Sequence, residues 1–171
     1  MVRLPWVRSV SDRAGVGERL GGFVYGTVLV LSVVVVGAKA FPDGPGRVAI
    51  LVAVTTFVFW AAHVYADALT YSVAHDAHLS IAELRHIARH EAAILEAGVL
   101  PEAALLLGAI GLLSESASGW LALGLGSAVL ATAGIVFARV ERLAPLQALA
   151  VVLANLALGV ALIFLKVLIT H

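Results

Sequence analysis

The sequence predicts an all-α integral membrane protein: a five-helix transmembrane bundle with a cytoplasmic amphipathic helix between spans two and three. Three observations carry that expectation. Of 171 residues, 61% are apolar and 13% charged, with a mean hydropathy of +1.03; soluble domains carry about 45–50% and about 25%. Charge-free stretches recur at lengths that cross a bilayer. The basic residues gather on one set of connections.

A bilayer core about 30 Å thick needs about 20 mostly apolar helical residues. Residues 20–38 give the first charge-free stretch, nineteen long, and 48–66 the second, whose helical pattern runs on to 71. Residues 116–138 and 143–165 give two more, twenty-three each. The remaining span, 97–114, has only twelve uncharged residues between Glu102 and Glu115. It must take in Pro101 and Glu102, and proline costs little in a first turn because its missing N–H has no helical partner there. Residues 1–19 read as a cytoplasmic or interfacial N-terminal segment, with Leu4, Trp6, Val7 and Val10 among arginines. Residues 20–171 form the membrane domain.

Five spans place eight of the eleven basic residues on the N-terminal side: Arg3, Arg8, Arg13, Arg19, Arg85, Arg89, Arg139 and Arg142. Lys39, Arg47 and Lys166 fall opposite. Under the positive-inside rule the N-terminus is then cytoplasmic and the C-terminus extracytoplasmic, in the plasma membrane of a cell. The excess of Arg over Lys, nine to two, suits a GC-rich bacterial genome. A net charge of +0 gives no basic field for nucleic acid. The absence of cysteine excludes disulfides, thiolate metal sites and cysteine nucleophiles.

Polar residues in span two share a face. At 100° per residue, Thr56, Trp60, His63, Asp67, Thr70, Tyr71 and His78 fall within roughly 100° of arc. Ionisable groups at such depth normally face the bundle interior or a water-filled path. Thr56, His63, Asp67 and Tyr71 are therefore ion-path candidates, with Asn155 of span five as a partner. An interhelical hydrogen bond is the alternative for each of them.

Downstream, Ser80 and Glu83 match a capping box, which starts a helix over about 79–96. His75, His78, Glu83, His86 and His90 are the candidate metal ligands. His86 and His90 stand one turn apart, a spacing at which two imidazoles hold one divalent transition metal ion and a carboxylate completes the site. The same spacing suits a solvated polar face.

Gly22 and Gly26 form a GxxxG in span one, and Gly108, Gly111, Gly124, Gly126 and Gly134 populate spans three and four. Such faces let helices approach closely, within one bundle or in a homodimer, with lipid as the surrounding partner. No phosphate-binding loop, GxSxG, HExxH or CxxC occurs, and no nucleophile–base pair is identifiable by spacing, so catalysis is not expected.

In layout the chain resembles the vacuolar iron transporter family, which has five spans, a cytoplasmic N-terminus and a helical metal-collecting segment between spans two and three. The His- and Glu-rich insert of about 72–96, and Arg139 and Arg142 followed by a Pro145-initiated last helix, carry the resemblance. The motifs depart: span one has Val24-Tyr25-Gly26-Thr27 where the family has an Asp in an FGxNDG-like stretch, and span two offers His63 and Asp67 where it has Met and Glu. Two functional classes follow. One is a transporter or channel for a divalent metal ion or protons, using the span-two stripe. The other is a non-catalytic scaffold or accessory subunit whose stripe binds a partner helix.

A reporter fused to the C-terminus is expected to be active only outside the cytoplasm. Activity inside would mean an even number of crossings.

Overall fold

The computed structural model describes the backbone of residues 5–75 and 79–170, and the side chains of residues 15–74 and 79–168. Among the described residues seven helices follow in order: α1 (Pro5–Ala40), α2 (Pro45–His75), α3 (Ile81–His90), α4 (Ala93–Glu96), α5 (Val99–Ala109), α6 (Glu115–Val140) and α7 (Pro145–Thr170). Four of them are long and apolar enough to cross a membrane. A fifth crossing exists if residues 81–109 count as one span, bent by 53° between Ile81–Glu96 and Val99–Ala109.

The helix ends follow local chemistry. Pro45 and Pro145 open α2 and α7, where a missing N–H costs nothing. The Ser114 hydroxyl accepts the Ala117 N–H at 3.2 Å and caps α6. The expected capping box is present at α3: Ser80 Oγ accepts from Glu83 N, and the Glu83 carboxylate accepts from Ser80 N at 2.7 Å. At the end of α6 the Leu143 N–H reaches the Ala138 carbonyl and the Arg142 N–H reaches that of Arg139, a Schellman turn. Arg142 takes its left-handed position, φ 52°, which glycine would occupy without strain.

Helix α1 is the axis of the bundle. It packs on α2, α4, α6 and α7, while α5 closes the ring between α2 and α6. Val30, Leu31, Val34 and Val35 of α1 are fully buried, meeting Val52, Leu105, Leu123 and Leu130 of the surrounding helices. A side chain at Gly126 would overlap the end of Leu31, so this glycine lets α6 close on α1. At the far end from α3, Lys166 is buried with its ammonium 4.3 Å from the centre of the Trp120 ring, a cation–π contact between α7 and α6.

The third crossing differs most from expectation. A single helix over 97–114 is not formed. Helix α5 holds 11 residues, about 16 Å at 1.5 Å each, half a bilayer core. It ends at Ala109 because the chain turns through Gly111 at φ 78° before Ser114 caps α6. Its start is set by Pro101, which cannot donate to the Ala97 carbonyl, so the helix is interrupted between Glu96 and Val99. The helix expected over 79–96 is likewise divided by a turn at Glu91–Ala92. Only α3 keeps the amphipathic pattern; α4 enters the core, with Ile94 fully buried. Helix α1 begins at Pro5, so the N-terminal segment is continuous with the first span in the described backbone.

Helix α4 reaches the core because α1 has no side chain where they meet. A Cβ at Gly26 would stand 2.9 Å from the Ile94 oxygen, 3.0 Å from its Cα and 3.1 Å from the Ala97 Cβ. At Gly22 the nearest atoms would be 3.8 Å away, ordinary contact. The GxxxG face is thus occupied inside the chain, and a second copy could use it only by displacing α4.

The two glycines should therefore behave oppositely. Gly26→Ala must displace the Ile94 backbone and should lower stability by about 1–3 kcal/mol. Gly22→Ala meets no clash and should raise it by up to about 1 kcal/mol through helix propensity. Thermal unfolding in one detergent compares them; equal effects would contradict the close approach at Gly26.

Candidate functional site

From Thr56 to Tyr71 the α2 stripe is described, and its members have different surroundings. Thr56 is 5% exposed, its methyl 3.9 Å from where a Cβ on Gly98 would stand, and its hydroxyl has no hydrogen-bond partner among the described residues. One turn on, the Trp60 Nε1–H donates to the Ala88 carbonyl of α3 at 3.1 Å. The His63 Nδ1–H donates to the Phe59 carbonyl of its own helix at 2.9 Å. A carbonyl oxygen only accepts, so Nδ1 carries the hydrogen of that bond. The His63 ring lies 5.2 Å, centre to centre, from that of Tyr25 on α1. Asp67 is exposed, and the described residues give it no bonded partner. The Tyr71 hydroxyl donates to the Glu83 carboxylate of α3. His63 and Asp67, though one turn apart, do not bond to each other.

The expected metal ligands are distributed rather than gathered. Glu83 is engaged twice, by the Tyr71 hydroxyl and by its own N-cap. His86 shares with Tyr71, Ala82, Glu83 and Ile87 an open cavity of about 360 Å³. His90 turns away from that cavity: its Nδ1 lies 3.3 Å from Glu91 and its Nε2 3.5 Å from Glu18 of α1. The side chain of His75, and all of His78, lie outside the described residues. Among the described residues no three His, Asp or Glu side chains are placed to hold a metal ion together.

Asn155 belongs elsewhere. Its amide donates to the Val151 carbonyl at 3.0 Å and fills the space left by Gly134. It lines the groove of about 550 Å³ between α1, α6 and α7, whose walls are otherwise mostly apolar: Leu20, Val24, Phe137, Leu158. The central helix α1 separates it from the α2 stripe.

Comparison with known protein families, characterised proteins and solved structures finds no match to this chain.

Reading the sequence alone missed Tyr25. Its ring lies against His63 and Phe59, and it also lines the groove that holds Asn155. A lone hydroxyl-bearing aromatic in a valine- and leucine-rich helix, one position before Gly26, is the only signal it leaves. Also missed was the ionic tie between α1 and the insert, in which Arg19 Nη2 lies 3.2 and 3.3 Å from the two Glu96 oxygens. Its partners are 77 residues apart.

The geometry therefore offers a seam. Trp60, His63 and Tyr71 hold α2 against α3 and α1 by one bond or ring contact each. Glu83 and His86 lie at the edge of that seam, on the open cavity they share with Tyr71.

Thr56 provides the energetic check. Removing a buried hydroxyl without a partner relieves a desolvation penalty, so the near-isosteric Thr56→Val should stabilise the protein by about 1 kcal/mol. A lowered unfolding midpoint would show instead that the hydroxyl is bonded.

Proposed function

We propose that this chain is a non-catalytic, multi-pass membrane protein that acts as a scaffold or accessory subunit, with its N-terminus cytoplasmic and its C-terminus extracytoplasmic. One observation carries the reading. Three side chains of the α2 stripe are engaged by the chain's other helices, Trp60 by the Ala88 carbonyl, Tyr71 by Glu83, and His63 by the Tyr25 ring. A stripe spent in this way fixes the position of the insert. Asp67, exposed on the same face, is the group left to bond a polar residue on a partner helix. In lipid such a bond contributes about 0.6 kcal/mol and at most about 2, enough to orient an association driven by packing. The orientation rests on the eight-to-three division of basic residues.

A second reading, passage of protons or a divalent metal ion, is favoured by one feature. The Tyr71–Glu83 bond joins the stripe to the cavity that holds His86. In that reading Asp67 and His63 carry the ion and the insert collects it.

Asp67→Asn separates the two, because Asn keeps the size and most of the hydrogen-bonding capacity while losing the charge. In proteoliposomes, the scaffold reading expects proton and Zn²⁺ flux no greater than in protein-free vesicles, for wild type and variant alike. Its stability should fall by no more than about 1 kcal/mol. A flux present in the wild type and abolished in a stably folded Asp67→Asn protein would overturn it in favour of the ion path.

A further inference from the structure

Helix α7 is the least covered of the four helices long enough to cross a membrane. Only 6% of its most apolar 18-residue stretch is buried within the chain, against 44% for α6. Its polar side chains are turned elsewhere: Lys166 to Trp120, Asn155 to the groove beside α1, and Gln147 back to the Ala144 N–H. No residue from Pro145 to Leu165 is charged.

The open face of α7 is sorted by size. A branched apolar residue followed by alanine occurs four times, as Leu149-Ala150, Leu153-Ala154, Leu156-Ala157 and Val160-Ala161. Successive pairs are spaced by four, three and four residues, so on a helix of about 3.6 residues per turn they stack above one another. Neighbours in sequence stand about 100° apart. The pairs therefore form two parallel rows, one large and one small, and Leu146 and Phe164 extend the large one. Every member of both rows is exposed. Contact with fluid acyl chains requires no such sorting, and the open face of α2 lacks it: there Ala61 stands among Ile50, Val54 and Phe57.

The sorting is self-complementary for one kind of partner. Copies of one chain insert in one direction, so two α7 helices would meet in parallel about a two-fold axis along the membrane normal. A half-turn about that axis exchanges left and right of the contact line. Each large row then faces the partner's alanine row at the same height, on both sides of the axis. The axis also brings residues close to their own copies, and this face carries no charge that would meet itself. In lipid, close packing of this kind is what drives helix association.

We propose that the open face of α7 is a dimer interface, and that its occupant is α7 of a second copy, each large row seated on the partner's alanine row. The face is separate from Gly22 and Gly26, beside α4, and serves equally whether the α2 stripe is a seam or an ion path.

The test uses the full chain, labelled at its N-terminus, in liposomes of rising protein-to-lipid ratio, with stoichiometry read by single-molecule photobleaching. Wild type should pass from monomer to dimer and no further. The chain has no cysteine, so single cysteines report the contact. Ala157→Cys, at the boundary between the rows, should give a disulfide-linked dimer on mild oxidation, and Val54→Cys on the open face of α2 should not. Ala154→Leu with Ala157→Leu fills the small row and should weaken dimerisation at least about 10-fold. Both positions are exposed, so thermal unfolding of the monomer should not change. Adding Leu153→Ala and Leu156→Ala exchanges the rows at the same two levels and should recover much of the dimer. A wild type that stays monomeric at every ratio would overturn the proposal and leave the face to lipid. So would a dimer undiminished by the filled row, a folded row-exchange variant that stays monomeric, or disulfides that form as readily in Val54→Cys as in Ala157→Cys.

Discussion

The structure depends on burying one interrupted stretch of backbone. Within a bilayer every N–H and C=O must find a partner inside the protein, so non-helical backbone is tolerated there only when protein covers it. The interruption between α4 and α5 meets that condition. Ala97 is 1% exposed and Gly98 is buried beneath Val30 and Thr56. The cover is supplied by α1 and α2, and α1 can come close enough only because residue 26 has no side chain. Pro101 makes the interruption, and Gly26 makes it survivable.

From that burial follow the positions of the polar groups. With α4 drawn into the bundle, α3 is swung back along α2, which brings Ala88 to Trp60 and Glu83 to Tyr71. Glu83 then performs two tasks with one carboxylate, completing its own helix cap and receiving the Tyr71 hydroxyl. A cap is worth about 1 kcal/mol locally. Here it also anchors a helix to its neighbour, since moving the carboxylate would undo both bonds.

The charges at this end of the bundle refine the docking rather than power it. Arg19 and Glu96 form a two-oxygen contact but are half exposed, 50% and 55%, and exposed pairs of this kind contribute about 0–1 kcal/mol. His90, facing Glu18 and Glu91, is better covered on its own side and ties the end of α3 to α1. Together they tie the insert to α1 at Glu18 and Arg19, beside the Gly26–Ile94 contact. The apolar contacts supply the stability, and the ionic ones supply the choice.

What the sequence by itself determined was everything governed by neighbours within about four residues. The charge-free stretches of α1, α2, α6 and α7 could be read from composition, the Ser80–Glu83 cap from its spacing, and the stripe on α2 from the helical period. The third crossing was legible only as a difficulty: Pro101 and Glu102 lay in its path, but nothing local said that α4 would be absorbed into the core and α5 cut short at Gly111. Tertiary structure alone decided partners. GxxxG announces a close approach without naming the helix that makes it, and here that helix is α4. Tyr71 and Glu83 are 12 residues apart on two different helices, and how those helices meet is not encoded locally. Asn155 and the α2 stripe share polarity but not a site, because α1 stands between them. Helical periodicity fixes which way a side chain faces on its own helix; what it faces depends on how the helices are arranged around α1, and that is set by close packing over the whole bundle.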